Sequence, residues 1–114
     1  MNKITLLGNV PSKKNSRINT RNGMSFPSSK YTAWHKNAIL QLRGVKPIAK
    51  GTPLIFTYYS DSLRSGDLSN KWQSIEDTFT DCGIIEDDNW FILPDIHMKF
   101  GGVDRKNPRA IIEY

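Results

Sequence analysis

Apolar positions recur along this chain with two periods, and the change of period marks its elements. Near the N-terminus, "ITLLGNV" is β-branched and apolar and runs into Gly8 and Pro11, which predicts a strand over residues 3–8. "PSKKNSRINTRNGMSFPSS" follows, polar, basic and broken by Pro and Asn-Gly, and reads as a long loop or loose hairpin. "SSKYTAWHKNAILQLRG" predicts a helix with Ser28 or Ser29 as N-cap and Gly44 as its stop. Tyr31, Trp34, Ile39 and Leu42 would share its buried face. "TPLIFTYYS" reads as a strand and "DSLRSG" as a turn. "SNKWQSIEDTFTDC" predicts a second helix, on which Leu68, Trp72, Ile75, Phe79 and Cys82 fall within about 80° of arc. Gly83 ends it, and "WFILPDIHMKFGG" and "RAIIEY" read as two closing antiparallel strands.

The order β-α-β-α-β-β predicts an α+β (mixed α/β) fold, a four-stranded sheet with two helices. Its 114 residues fit one domain, 1–114, without repeat or linker. The lone cysteine, Cys82, makes neither an internal disulfide nor a Cys-rich zinc site, and reads as a small buried residue. No stretch is long and apolar enough to cross a bilayer and no signal-peptide core opens the chain, so the expected location is the cytoplasm.

Charge sharpens this picture. The net charge is +5, yet residues 1–60 hold ten Lys or Arg and no acid, while residues 61–95 hold nine acids against Arg64 and Lys71. A basic N-terminal half attracts polyanions, with nucleic acid the first candidate. Lys13, Lys14, Asn15, Arg17 and Arg21 in the early loop are candidate DNA contacts, joined by Arg64 and Lys71. The competing reading of that loop is a solvated segment.

Seven of the eleven acids lie in residues 66–89. Asp67 precedes the second helix, and Asp87 and Asp88 follow it. Converging carboxylates repel unless a cation neutralises them, and Mg²⁺ accepts one or two carboxylates plus water and substrate phosphate. A carboxylate–metal site on a basic surface suits a nuclease. The plainer alternatives stay open: Asp67 as helix cap, Asp87-Asp88 as a solvated turn, and Asp77 and Asp81 on a solvated face.

The stretch "DLSN" from Asp67 to Asn70, followed by Gly83 and the pair Asp87-Asp88, resembles the D-x-D-N…G…DD pattern of the RusA family of Holliday-junction resolvases (crossover junction endodeoxyribonucleases). The early "P-S-x-x-N" (Pro11, Ser12, Asn15), the basic loop and the final strands are similar too, so the resemblance covers nearly the whole chain. It implies Mg²⁺-dependent cleavage of four-way DNA junctions in recombination and repair, with Mn²⁺ as a substitute ion, by a homodimer of a kind often encoded by phages. It implies Asp67 and Asp88 as metal ligands. Two positions depart from the family: Ser69 replaces the second aspartate and Gln73 the catalytic lysine. Lys71 lies about 200° around the helix from Gln73 and faces elsewhere than that lysine would. The expected catalytic set is therefore Asp67, Asp88 and Asp87, with Glu76 as an outer ligand.

His35 and His97 lack a metal-like partner at short spacing and read as ordinary core or surface histidines. Trp34, Trp72 and Trp90 read as core or interface anchors, with Trp90 a candidate for stacking on an unpaired base. No phosphate-binding glycine loop is present, so no nucleotide cofactor is expected. Two other function classes compete: a branched-DNA-binding protein of the same fold that has lost cleavage, and a basic domain binding another protein through its tryptophans.

Overall fold

The computed structural model describes residues 2–12, 17–19 and 25–114, those of residues 17–19 and 25–27 as backbone. Its elements are β1 (Lys3–Leu7), β2 (Arg17–Asn19), β3 (Ser25–Pro27), α1 (Ser29–Gln41), β4 (Leu54–Ser60), α2 (Leu68–Asp81), β5 (Ile96–Val103) and β6 (Arg109–Glu113). Four strands form one mixed sheet in the order β1-β6-β4-β5, and β2 and β3 pair separately as a small antiparallel ribbon. The fold is α+β, and the early basic loop contains that ribbon.

The closing strands differ from the expected pair. β4 lies between β5 and β6, with β5 parallel to it and β6 antiparallel. β4-α2-β5 is thus a crossover unit, because parallel neighbours need a long connection and α2 supplies it. β6 then closes the sheet onto β1 by antiparallel pairing. "WFIL" is not strand: Trp90 to Ile92 lie in a turn, Leu93 follows without regular structure, and β5 begins only at Ile96.

One face of the sheet is packed. Ile4, Leu6, Leu54, Phe56, Tyr58, Ala110 and Ile112 point into a core shared with Trp72, Ile75 and Phe79 of α2 and Ala38 and Leu42 of α1. The α2 stripe runs as its period predicts, with Leu68 and Cys82 at its ends packed against the core but only partly buried. On α1 and its C-cap the buried row is Tyr31, Ala38 and the cap residue Leu42, with Trp34 against it, and Ile39 stays 37% exposed. Spacing explains the correction: 31, 34, 38 and 42 follow the helical repeat, and Ile39 is turned about 100° from Ala38.

Caps set both helix ends. The Ser28 hydroxyl accepts from the N–H of Tyr31 at 3.2 Å, and Gly83 after α2 takes φ +72°, a left-handed conformation suited to glycine. The helices are tied together through His35, whose Nδ1 lies 2.9 Å from the Thr78 hydroxyl and whose Nε2 lies 3.2 Å from Asp81. No helix among the described residues is long and apolar enough to cross a membrane.

Candidate functional site

The segment before the basic loop is strapped to α2. The Lys71 ammonium donates to the Val10 carbonyl at 2.6 Å, and the buried Ser74 hydroxyl donates to the Pro11 carbonyl at 2.6 Å. From the sheet side, the Tyr58 hydroxyl accepts from the Val10 N–H at 3.1 Å and donates to Asn9 at 3.2 Å. The basic loop therefore leaves the core beside the first turns of α2. Burial lowers the Lys71 pKa, and Lys30 adds to that. Its ammonium also lies 5.6 Å from the centre of the Tyr58 ring. Lys71 thus faces inward, where it positions the root of the loop.

Asp67 is the N-cap of α2. Its Oδ1 accepts from the Ser69 N–H at 2.9 Å and from the Ser69 hydroxyl at 2.6 Å. The carboxylate stands at the positive end of the helix, which favours its charge. The Ser69 side chain is thus bound back onto that carboxylate. Gln73 is exposed one turn further on.

Glu76 is the most perturbed acid of the site. Its Oε2 accepts from the indole N–H of Trp72 at 2.7 Å. Burial pushes its pKa up to about 7, the Trp72 hydrogen bond offsets part of this, and the charges of Asp88 and Asp77 push further in the same direction. The turn after α2 has thus folded back far enough for Asp88 to act on Glu76. Asp87 serves that turn: its Oδ1 accepts from the Asp88 N–H at 2.7 Å and its Oδ2 from Asn89 at 3.2 Å. Those bonds, the Asp88 N–H first, hold the Asp87 carboxyl below its usual range.

Among the described residues, no three His, Cys, Asp or Glu side chains form a group that could hold a metal ion. Fewer than three such side chains meet there, and Mg²⁺ commonly takes one or two carboxylates completed by water and phosphate. A cation near Glu76 and Asp88 would relieve the repulsion that Glu76 carries.

Of the other candidates, Arg64 is exposed in the turn between β4 and α2, three residues before Asp67. Lys13, Lys14, Asn15 and Arg21 lie outside the described residues, and Arg17 is described only as backbone of β2. Asp81 is exposed and Asp77 half-buried. The Trp72–Glu76 bond escaped sequence reading although its signal, an indole donor one turn before a carboxylate, was visible. The tryptophans divide: Trp72 is buried, Trp34 packs against the core, and Trp90 is exposed.

Fold and site define a small α+β domain with an acid-flanked helix to which Val10 and Pro11, just before the basic loop, are hydrogen-bonded. No family model matches the chain, and no curated protein matches it.

Proposed function

We propose that the chain is a Mg²⁺-dependent, structure-selective DNA endonuclease of the RusA type, which as a homodimer nicks four-way junctions in DNA recombination and repair in the cytoplasm. One observation carries this reading: the root of the basic loop is hydrogen-bonded at Val10 and Pro11 to α2, the helix that Asp67 caps and that carries Glu76 within reach of the Asp88 charge. A loop that tracks phosphates and the acids that would act on them thus share one scaffold. The resemblance of "DLSN" and Asp87-Asp88 to the family pattern supports the same assignment.

In this reading Asp67 and Asp88 would hold the ion, with Glu76 as an outer ligand and Asp87 ordering the turn. The bound ion would polarise the phosphate, lower the pKa of a water and stabilise the leaving oxygen. Arg64 and the loop bases bind the DNA backbone and orient it. Glu76 keeps the Trp72 hydrogen bond at Oε2, which leaves Oε1 as its proton-accepting atom.

A second reading, junction binding without cleavage, is favoured by Ser69, whose hydroxyl is bound to Asp67 where the family has a second carboxylate. Two substitutions test the pair. Asp88→Asn should abolish nicking of a four-way junction in Mg²⁺ and leave binding in EDTA intact. Unchanged nicking by Asp88→Asn contradicts the proposal. If the wild type binds junctions without nicking and Ser69→Asp nicks them, the second reading holds.

A further inference from the structure

The turn between β5 and β6 is built around one arginine. The Arg109 guanidinium donates to Asp104 Oδ2 at 2.9 Å and to the Asn107 carbonyl at 2.9 Å. It also lies 4.0 Å from the centre of the Tyr59 ring. That ring rests on Gly101, where a Cβ would come within 2.6 Å of it, so any side chain there would displace it. The Asn107 N–H donates to Asp104 Oδ1 at 3.2 Å and closes the turn.

Neighbouring strands hold the turn at both ends. The Asp104 N–H donates to the Ser60 carbonyl at 2.7 Å, and the Pro108 carbonyl accepts from the Gly8 N–H at 2.8 Å. Ser60 ends β4 and opens the turn that carries Arg64 to Asp67. Gly8 follows β1 and leads through Val10 and Pro11 toward the basic loop. The register agrees, since Arg109 pairs with Leu7 on one side and Tyr59 on the other. One rim of the sheet thus carries the β5–β6 turn, the root of the basic loop and the approach to α2.

Charge at this rim is not balanced. Arg105 and Lys106 form the tip of the turn, both are exposed, and neither pairs with an acid among the described residues. The acids nearby are engaged: Asp104 holds Arg109, Asp61 acts on the Lys71 ammonium, and Asp67 caps α2. Two unneutralised cations on an ordered turn attract a polyanion, and little backbone entropy is lost when one binds. Residues 104–107 are all polar or charged, so the tip has no apolar anchor for a membrane. A nucleic-acid strand instead presents a row of phosphates that can meet cations along the rim. We infer that Arg105 and Lys106 form a phosphate clamp on the DNA backbone, a second contact besides the basic loop. For DNA as the polyanion the inference rests on the function proposed above.

The test uses the full chain in EDTA, so that binding is read without cleavage. Duplex and four-way junction are titrated across a salt series with wild type, Arg105→Ala/Lys106→Ala, the charge-keeping Arg105→Lys/Lys106→Arg, and Lys46→Ala/Lys50→Ala. The last removes the same charge from the segment before β4, at the opposite end of the sheet. Arg105→Ala/Lys106→Ala should weaken binding to both about 10- to 100-fold in about 0.1 M salt and flatten the log–log salt slope by about two units, one per lost phosphate contact. Its melting temperature should not change, and the other two variants should keep the wild-type slope. A wild-type slope in Arg105→Ala/Lys106→Ala overturns the clamp, and junction nicking by wild type in Mg²⁺ then leaves the nuclease reading standing. An equal loss on removing Lys46 and Lys50 makes the effect one of net charge and also overturns the clamp. A flattened slope beside a wild type that never nicks keeps the clamp and removes the nuclease reading. If Arg105→Ala/Lys106→Ala loses binding to phosphatidylserine vesicles but keeps its DNA affinity, the turn meets a lipid surface and the clamp is overturned. No binding to any nucleic acid overturns both.

Discussion

Glu76 answers to two partners at once: a buried indole N–H that favours its charge, and a dry, acid-rich flank that opposes it. Opposition wins, and the pKa rises from 4.5 to about 7. The sign of the consequence follows from linkage. The folded state holds this proton more tightly than the unfolded chain, so the ionised form costs stability only in the fold. Stability therefore falls as pH rises from about 4.5 through about 7 and is level above that. Melting temperatures measured across this window should decline for the wild type, and Glu76→Gln should flatten the decline while keeping an acceptor for Trp72. An equal decline in both proteins contradicts the assignment. At this scale the sequence was only partly legible. The acids at 67, 76, 87 and 88 could be singled out. That Lys71 serves Val10 and Ser74 serves Pro11 could not, because those partners lie 61 and 63 residues away and meet only through the fold.

At the scale of the element, α2 combines two demands at one residue, since Asp67 both caps the helix and is the first candidate ligand. The roles separate by substitution. Asn caps a helix about as well as Asp, whereas Ala costs about 1 kcal/mol. Asp67→Asn should thus melt close to wild type yet lose junction nicking, and Asp67→Ala should lose nicking and about 1 kcal/mol of stability by denaturant titration. Full nicking by Asp67→Asn would leave Asp67 as a cap alone. The elements themselves were readable because periodicity reports burial directly: the stripe of α2 has Trp72, Ile75 and Phe79 inside as predicted. Strand neighbours were not readable. β4 inserts between β5 and β6, and nothing in "IHMKF" or "RAIIEY" states which strand lies beside it. The imperfect spacing of α1 misassigned Ile39 because its neighbour Ala38, small and easily overlooked, takes the core position.

Across the whole molecule, positive charge fills residues 1–60 and negative charge gathers in residues 61–95, and the fold brings the root of the basic loop beside the acidic helix. Replacing Lys13 and Lys14 by Ala should weaken DNA binding and flatten its salt dependence by about one unit of log–log slope per lost phosphate contact. An unchanged slope assigns phosphate binding elsewhere. The charge segregation was legible from the sequence, but its spatial meaning was not, since the hydrogen bonds of Lys71 to Val10 and of Ser74 to Pro11 form across more than sixty residues of chain. The most direct measurement is incubation of purified wild-type protein with a synthetic four-way junction and matched duplex, in Mg²⁺ and in EDTA. Paired symmetric nicks in the junction only, and only with metal, are the predicted result. Junction nicking that persists in EDTA, or equal treatment of junction and duplex, would contradict it.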